Sequence, residues 1–498
     1  MSNTLTIDGQ SLTMDALREW EKNPCPVALS DTARARMAAN QAEVEKVINA
    51  DQASYGINTG FGAFAKQRIS ADKVIELQYN LVRSHACGVG DALPAEVTRR
   101  LMLLKANSLA VGHSGIRPEV VDVLLALLNA DVLPIIPERG SVGASGDLAP
   151  LAHLALALIG EGEAITSEHN FLEGEAVLEA AGCHSVELAA KEGLALLNGT
   201  QLSAALAIEG LFKGRLLLET AIRAGAMSVE GLAGSYAPFD SRVQDVRRMP
   251  GQIKVGERFR SLLTGSDIHD SHAGCDRVQD PYALRCMPQV FGGVQDTLDH
   301  CERILECELN SVSDNPLVFD GEVISAGNFH AEPLAFLSDF MAIALAELGS
   351  MSERRTDLLV RKVNPRLEMF LTATPGLESG YMIAHVTAAA LASENKTLAH
   401  PASVDSIPTS AGQEDHVSMA PWAGHKLERL CANIANILAI ELMAASVAVD
   451  QMAPLKTTGP LQKVHAAVRE IVEPHAGDRR MDQDIHALAA GLDSIAAA

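Results

Sequence analysis

Aromatic side chains are scarce in this 498-residue chain, at 4% of all residues. A β-sandwich filled with large rings is therefore not expected, whereas 47% apolar residues with abundant alanine suit closely packed helices. Positive charge is short too: 40 basic against 63 acidic residues leave a formal charge of −23, so nucleic-acid phosphates and anionic membranes are repelled. The eight cysteines form no Cys-x-x-Cys pair and no His/Cys cluster at zinc spacing, which points to free thiols in a reducing cytoplasm and to no metal. No basic region followed by an apolar run opens the chain. The most apolar helix candidate, residues 434–449, is interrupted by Asn436 and Glu441, so neither secretion nor membrane spanning is expected. Internal repeats and low-complexity tracts are absent as well.

What the chain does have is one loop of small residues between two apolar segments, Gly140-Ser-Val-Gly143-Ala144-Ser145-Gly146-Asp147-Leu-Ala-Pro150. Its glycines permit positive φ and close backbone approach, and Pro137 and Pro150 keep a helix from running through it. The spacing is not that of a dinucleotide-binding loop, no lysine follows as in a phosphate loop, and Asp147 at its mouth would repel phosphate. A nucleophile elbow needs glycine where Asp147 stands, which makes Ser145 a poor hydrolase serine. What Ala144-Ser145-Gly146 does permit is cyclisation: the unhindered Gly146 nitrogen can reach the Ala144 carbonyl carbon, and Ser145 can lose its hydroxyl as water. The product is an electrophilic methylidene.

Other stretches carry candidate chemistry with local alternatives. The glycine-rich run from Ser54 to Gly62 holds the Tyr55 hydroxyl, either as an anchoring aromatic or as a reactive group. A helix from about Asp72 ends in Ser84-His85, where His85 is a helix-end cap or a ligand. Asn198 follows an apolar run directly and either caps a long helix from about Leu202 or faces a site. Residues 235–290 look irregular, yet Pro281 can start a helix, and Gln279, Tyr282 and Arg285 recur every three residues, as a shared face requires. Long helices dominate from 291, with a buried stripe through Val294, Leu298, Cys301, Leu305 and Leu309. A domain boundary is expected near 110, giving an N-terminal domain 1–110 and a helical domain 111–498.

The loop resembles the signature of the aromatic amino-acid ammonia-lyases and aminomutases, in which this tripeptide matures into 4-methylidene-imidazol-5-one. Tyr55-Gly-Ile-Asn-Thr-Gly-Phe-Gly62, Leu197-Asn-Gly-Thr-Gln201, Val278 to Arg285, Ser311 to Pro316, Gly327-Asn-Phe-His330 and Gln413-Glu-Asp-His416 match that family in order over essentially the whole chain. Met287 and Gly412 depart from the residues expected beside these motifs, often Gln and Asn, and neither is a catalytic candidate. The resemblance implies a mainly α fold of the ammonia-lyase and fumarase-like type, with a central bundle of long helices and a smaller N-terminal domain. It also implies a homotetramer with shared active sites and no external cofactor.

In the terms of that resemblance, Ala144, Ser145 and Gly146 form the cofactor and Tyr55 is the candidate base, with Glu414 or Tyr282 as alternatives. Arg285 takes the substrate carboxylate, Asn198 and Gln279 orient cofactor and substrate, and Phe329 walls the ring. His85 and Glu414 suit an imidazole, which favours the histidine-specific branch: L-histidine in, trans-urocanate and ammonia out. Branches acting on tyrosine or phenylalanine, an aminomutase, and a helical assembly protein without chemistry are the alternatives.

Overall fold

The computed structural model describes residues 4–49, 57, 59, 67, 69–70, 73–274 and 277–498. Tyr55 and most of its loop lie outside these residues. Helices predominate among the described residues, and the strands are short. The chain divides into two compact units. The first comprises residues 1–209, 302–338 and 401–425, and the second comprises 210–301, 339–400 and 426–498. Residues on either side of position 110 belong to the first unit.

In the first unit, Leu5–Ile7 and Val27–Leu29 pair in parallel, and Ser30 accepts the Ala33 amide at 3.1 Å to cap the helix Asp31–Asn49. Pro118 opens the helix Pro118–Asn129, since a first-turn position needs no amide hydrogen. The helix Ala95–Ala110 is buried nearly throughout, including the polar residues Arg100, Lys105 and Asn107. Arg100 donates to both Glu21 and Glu209, which repays its burial. The stretch 161–182 pairs Glu163–Thr166 with Phe171–Glu173 in an antiparallel ribbon.

In the second unit, burial inside the helix Ala420–Asp450 accounts for the charge that interrupts its apolar run. Glu441 is fully buried, takes Nε and Nη2 of Arg355 at 2.5 and 2.7 Å, and accepts the hydroxyls of Ser228 and Ser352. A carboxylate is stable in such a core only with this set of donors. This helix and Glu332–Val360 are long and apolar enough to cross a membrane by length and composition, but most of their residues are buried inside the protein. The expected stripe is also found, with Val294, Leu298 and Cys301 buried in this unit and Leu305 and Leu309 buried in the first. Residues 235–290 are less irregular than their composition suggests. They contain the 14-residue helix Pro250–Leu263 and several shorter ones, because Pro250 and Pro281 sit where helices begin rather than where they would be broken.

Candidate active site

The small-residue loop takes the backbone form its glycines were expected to allow. Gly143 and Gly146 have φ of 63° and 73°. A Cβ on Gly143 would lie 2.2 Å from the Ser418 hydroxyl, and one on Gly146 would lie 2.1 Å from the Gly199 carbonyl oxygen. No other residue fits either position. The loop is anchored from both sides: Ser418 Oγ donates to the Gly143 carbonyl at 2.9 Å, and the Asp147 amide donates to the Gly199 carbonyl at 2.7 Å.

Asp147 is fully buried, which corrects its placement at the loop's mouth. Its carboxylate accepts the Ser141 hydroxyl and both the amide and hydroxyl of Ser203, in the first turn of the helix Gln201–Gly231. A negative charge is favoured there by the free amides of a helix start. Burial still pushes its carboxyl up to about 6, against those hydrogen bonds.

Ser145 faces a cavity of about 450 Å³ within the first unit, whose walls include Ala144, Asn198, Phe329, His330, Glu414 and His416. The Ser145 hydroxyl donates to Glu414 Oε1 at 2.5 Å, and the Asn198 amide Nδ2 donates to the Ser145 carbonyl at 3.1 Å. Asn198 therefore faces Ser145; it does not cap the helix that starts at Gln201, although its backbone closes the preceding helix Glu192–Leu197. Its Oδ1 is buried without a partner. Glu414 Oε2 accepts the hydroxyls of Thr409 and Ser410 at 2.5 and 2.9 Å, so three hydroxyls hold one carboxylate.

His85 ends the helix Val74–His85, and its Nδ1 lies 2.8 Å from the Leu81 carbonyl. A carbonyl only accepts, so Nδ1 carries the hydrogen and neutral His85 keeps an acceptor at Nε2. Burial lowers its pKa, opposed by the Leu81 contact and by the charge of Glu414. His85 is the last residue of its helix, and the charge of Glu414 acts on its ring.

The second unit brings together Gln279, Tyr282 and Arg285. Arg285 lies over the Tyr282 ring, 4.6 Å from its centroid, and Nη2 donates to Gln279 Oε1 at 3.0 Å. Pro281 does start a helix, but it spans only Tyr282–Arg285, so Gln279 joins by this hydrogen bond and not by sharing a helical face. Arg285 Nε is buried with no partner, a donor available to a carboxylate.

Three residues that local reading gave no role also stand at the site. His330 and His416 stack with ring centroids 5.6 Å apart on the cavity wall, and Lys105 lies buried behind Asn198. The histidines sit inside motifs already singled out; a lysine within the apolar run Leu101 to Ala110 was the readable signal for the third.

A helical fold that presents Ala144-Ser145-Gly146 on a glycine-shaped loop is that of an aromatic amino acid lyase. The chain belongs to this family, whose model matches residues 12–470. The histidine ammonia-lyase of Rhodospirillum rubrum is 50% identical over 493 residues, covering 98% of this chain and 96% of that protein. That of Idiomarina loihiensis is 51% identical over 481 residues, 96% and 94% of the two chains. Among solved structures, histidine ammonia-lyase from Trypanosoma cruzi superposes with a TM-score of 0.91 at 43% identity, covering 99% of this chain and 94% of that one. Tyrosine aminomutase from Streptomyces globisporus reaches 0.93 at 35% identity, covering 99% and 97%.

Proposed function

We propose that this chain eliminates ammonia from L-histidine without oxidation, giving trans-urocanate. It would do so with an electrophile built from its own Ala144, Ser145 and Gly146. The observation that carries the chemistry is the clamp on Ser145, whose hydroxyl is held by Glu414 and whose carbonyl is held by Asn198. The substrate assignment rests on the charge of Glu414 acting on His85, and on relatives of 50–51% identity that are histidine ammonia-lyases.

The residues fit a methylidene-imidazolone. Forming it joins the Gly146 nitrogen to the Ala144 carbonyl carbon, whose oxygen leaves as water; Ser145 then loses Cα–H and its hydroxyl as a second water. Space for a bare Gly146, a donor on the Ser145 carbonyl and an orphaned Asn198 Oδ1 all suit the product. Once formed, the group supplies an electrophilic carbon that turns the substrate amine into a better leaving group, the service protein-bound cofactors render where side chains lack it.

The chain's own residues do the rest. Arg285 binds the substrate carboxylate, with Gln279 and Tyr282 holding its guanidinium. His85 Nε2 accepts from the imidazole, Glu414 takes its other nitrogen or the β-proton, and Phe329 walls the ring. Tyr55 is the preferred base for the β-proton. The Tyr282 ring beneath Arg285 is exposed, and Met382, Ile383 and Val386 leave apolar surface on the helix Met382–Leu398. Both features suit a homotetramer in which neighbouring copies complete each site. The described cysteines are all free, in keeping with a reducing cytoplasm.

Incubation with L-histidine, L-tyrosine and L-phenylalanine tests the substrate: urocanate should appear from histidine and no arylacrylate from the others. A β-amino acid product would instead make the chain an aminomutase. Arg285→Lys tests the carboxylate site. Lysine loses the two-pronged geometry, so kcat/KM should fall by about 1.5–3 kcal/mol, mostly through KM. Unchanged kinetics would remove Arg285 from the site.

A further inference from the structure

Behind the reactive loop lies a buried amine that no step above uses. Lys105, on the inner face of the helix Ala95–Ala110, is 1% exposed, and its Nζ donates to the Asn198 carbonyl at 2.7 Å. From there the hydrogen bonds run to the loop by two routes. The Asn198 side chain holds the Ser145 carbonyl, while the next carbonyl, that of Gly199, holds the Asp147 amide and forms a parallel bridge with Gly146. Residues 198–199 thus grip the chain on either side of Gly146, whose nitrogen must make the new bond, and Lys105 grips residue 198.

The charges around Lys105 make this contact sensitive to its protonation. Asp314 and Asp147 favour the ammonium, and Lys191 opposes it. Asp314 is already paired with Lys191 at 2.7 Å, both fully buried, so its charge is largely committed there. Asp147 is shared with Ser141 and Ser203, and it also faces buried Glu308, whose carboxyl is pushed up mainly by burial. Lys105 is left with one short hydrogen bond and no carboxylate of its own; burial, with Lys191, brings its amine down to about 7.

We propose that Lys105 is a positioning residue for the chain's own cyclisation: its ammonium group, through the Asn198 carbonyl, holds residues 198–199 where they press Gly146 toward Ala144. This rests on the reading that Ala144-Ser145-Gly146 cyclises. Small displacements of reacting groups cost rate steeply, so the effect belongs to maturation and not to substrate affinity.

Intact mass and urocanate kinetics of the parent, Lys105→Met and Lys105→Arg provide the test. The parent should weigh two waters less than its translated chain; a parent at full mass removes the reading on which the inference rests. Given a light parent, Lys105→Met should contain roughly tenfold fewer mature chains, with kcat per chain lower in proportion and KM unchanged, because immature chains are silent rather than weak. Lys105→Arg, which keeps charge and donor, should restore most of the deficit. A fully light Lys105→Met, or an arginine variant no more mature than the methionine one, overturns the proposal. Should Lys105→Met not fold, parent and Lys105→Arg made by cell-free translation and quenched at intervals decide the matter. The ratio of their maturation rates should fall as pH rises through about 7, where only lysine loses its proton; a constant ratio overturns it.

Discussion

Ser145→Ala should leave a folded chain that carries its full translated mass and has lost turnover by a factor on the order of 10⁴ or more, the scale on which removing a central catalytic group acts. The structural cost is small. Ser145 is only partly buried, and its side chain makes one hydrogen bond, to Glu414, so stability should fall by about 0.5–1.5 kcal/mol. The chemical cost is large because alanine has no hydroxyl to expel. The methylidene cannot form, and no other side chain lining the cavity is electrophilic. Thermal denaturation, intact mass and urocanate formation measured on one preparation separate these effects. A Ser145→Ala chain that turns histidine over at the parental rate would sink the electrophile altogether, whereas one that is unfolded would show that the loop's hydrogen bonds matter more than their number suggests.

How much of this site could be read in advance depends on how far apart its parts lie along the chain. The loop was legible because glycine announces backbone form locally: Gly143 and Gly146 have the positive φ and the missing Cβ space that their spacing implied. Helices with a proline at the first turn, such as Pro118–Asn129, were legible for the same reason. Contacts were not. Asn198 reaches Ser145 across 53 residues and Glu414 reaches it across 269, distances over which local pattern carries no register, so Asn198 could be read equally as a cap. Asp147 looked like a charge at the loop's mouth because acidic residues are usually solvated. Its burial depends on Ser203, on a helix that begins 54 residues later. All but one of the unit boundaries fall inside helices, and they rejoin distant segments, which no composition shift marks. Resemblance to the family supplied the grouping that physics alone left open, while the geometry supplied the partners of each group.

Unit one holds the loop, with Glu414 and Asn198 on Ser145, and unit two holds the Arg285 guanidinium with Gln279 and Tyr282. Among the described residues Arg285 Nε is buried without a hydrogen-bond partner, and the Tyr282 ring beside it is 69% exposed.

Glu414→Gln is expected to lower kcat by about 10²–10⁴, the range over which a positioned acid or base contributes, while the two-water mass deficit is retained. Glutamine keeps the length and one acceptor oxygen of Glu414, so the Ser145 hydroxyl retains a partner in the unmatured chain. Its amide can donate to the hydroxyl oxygens of Thr409 and Ser410, which now donate to the carboxylate, so the 409–414 turn survives with its hydrogen bonds reversed. What disappears is the charge. Without it Glu414 can neither take a proton nor favour a protonated imidazole, and the electrostatic support it gives His85 is lost as well. The mass measurement decides between two roles that one carboxylate can combine. A light but slow variant places Glu414 with the substrate; a variant at full mass places it with the Ser145 hydroxyl during cyclisation, where it accepts the proton that the departing water must carry. Activity within about threefold of the parent, well below the contribution of any acid or base, would leave Glu414 as an anchor for the turn and the β-proton to Tyr55 alone.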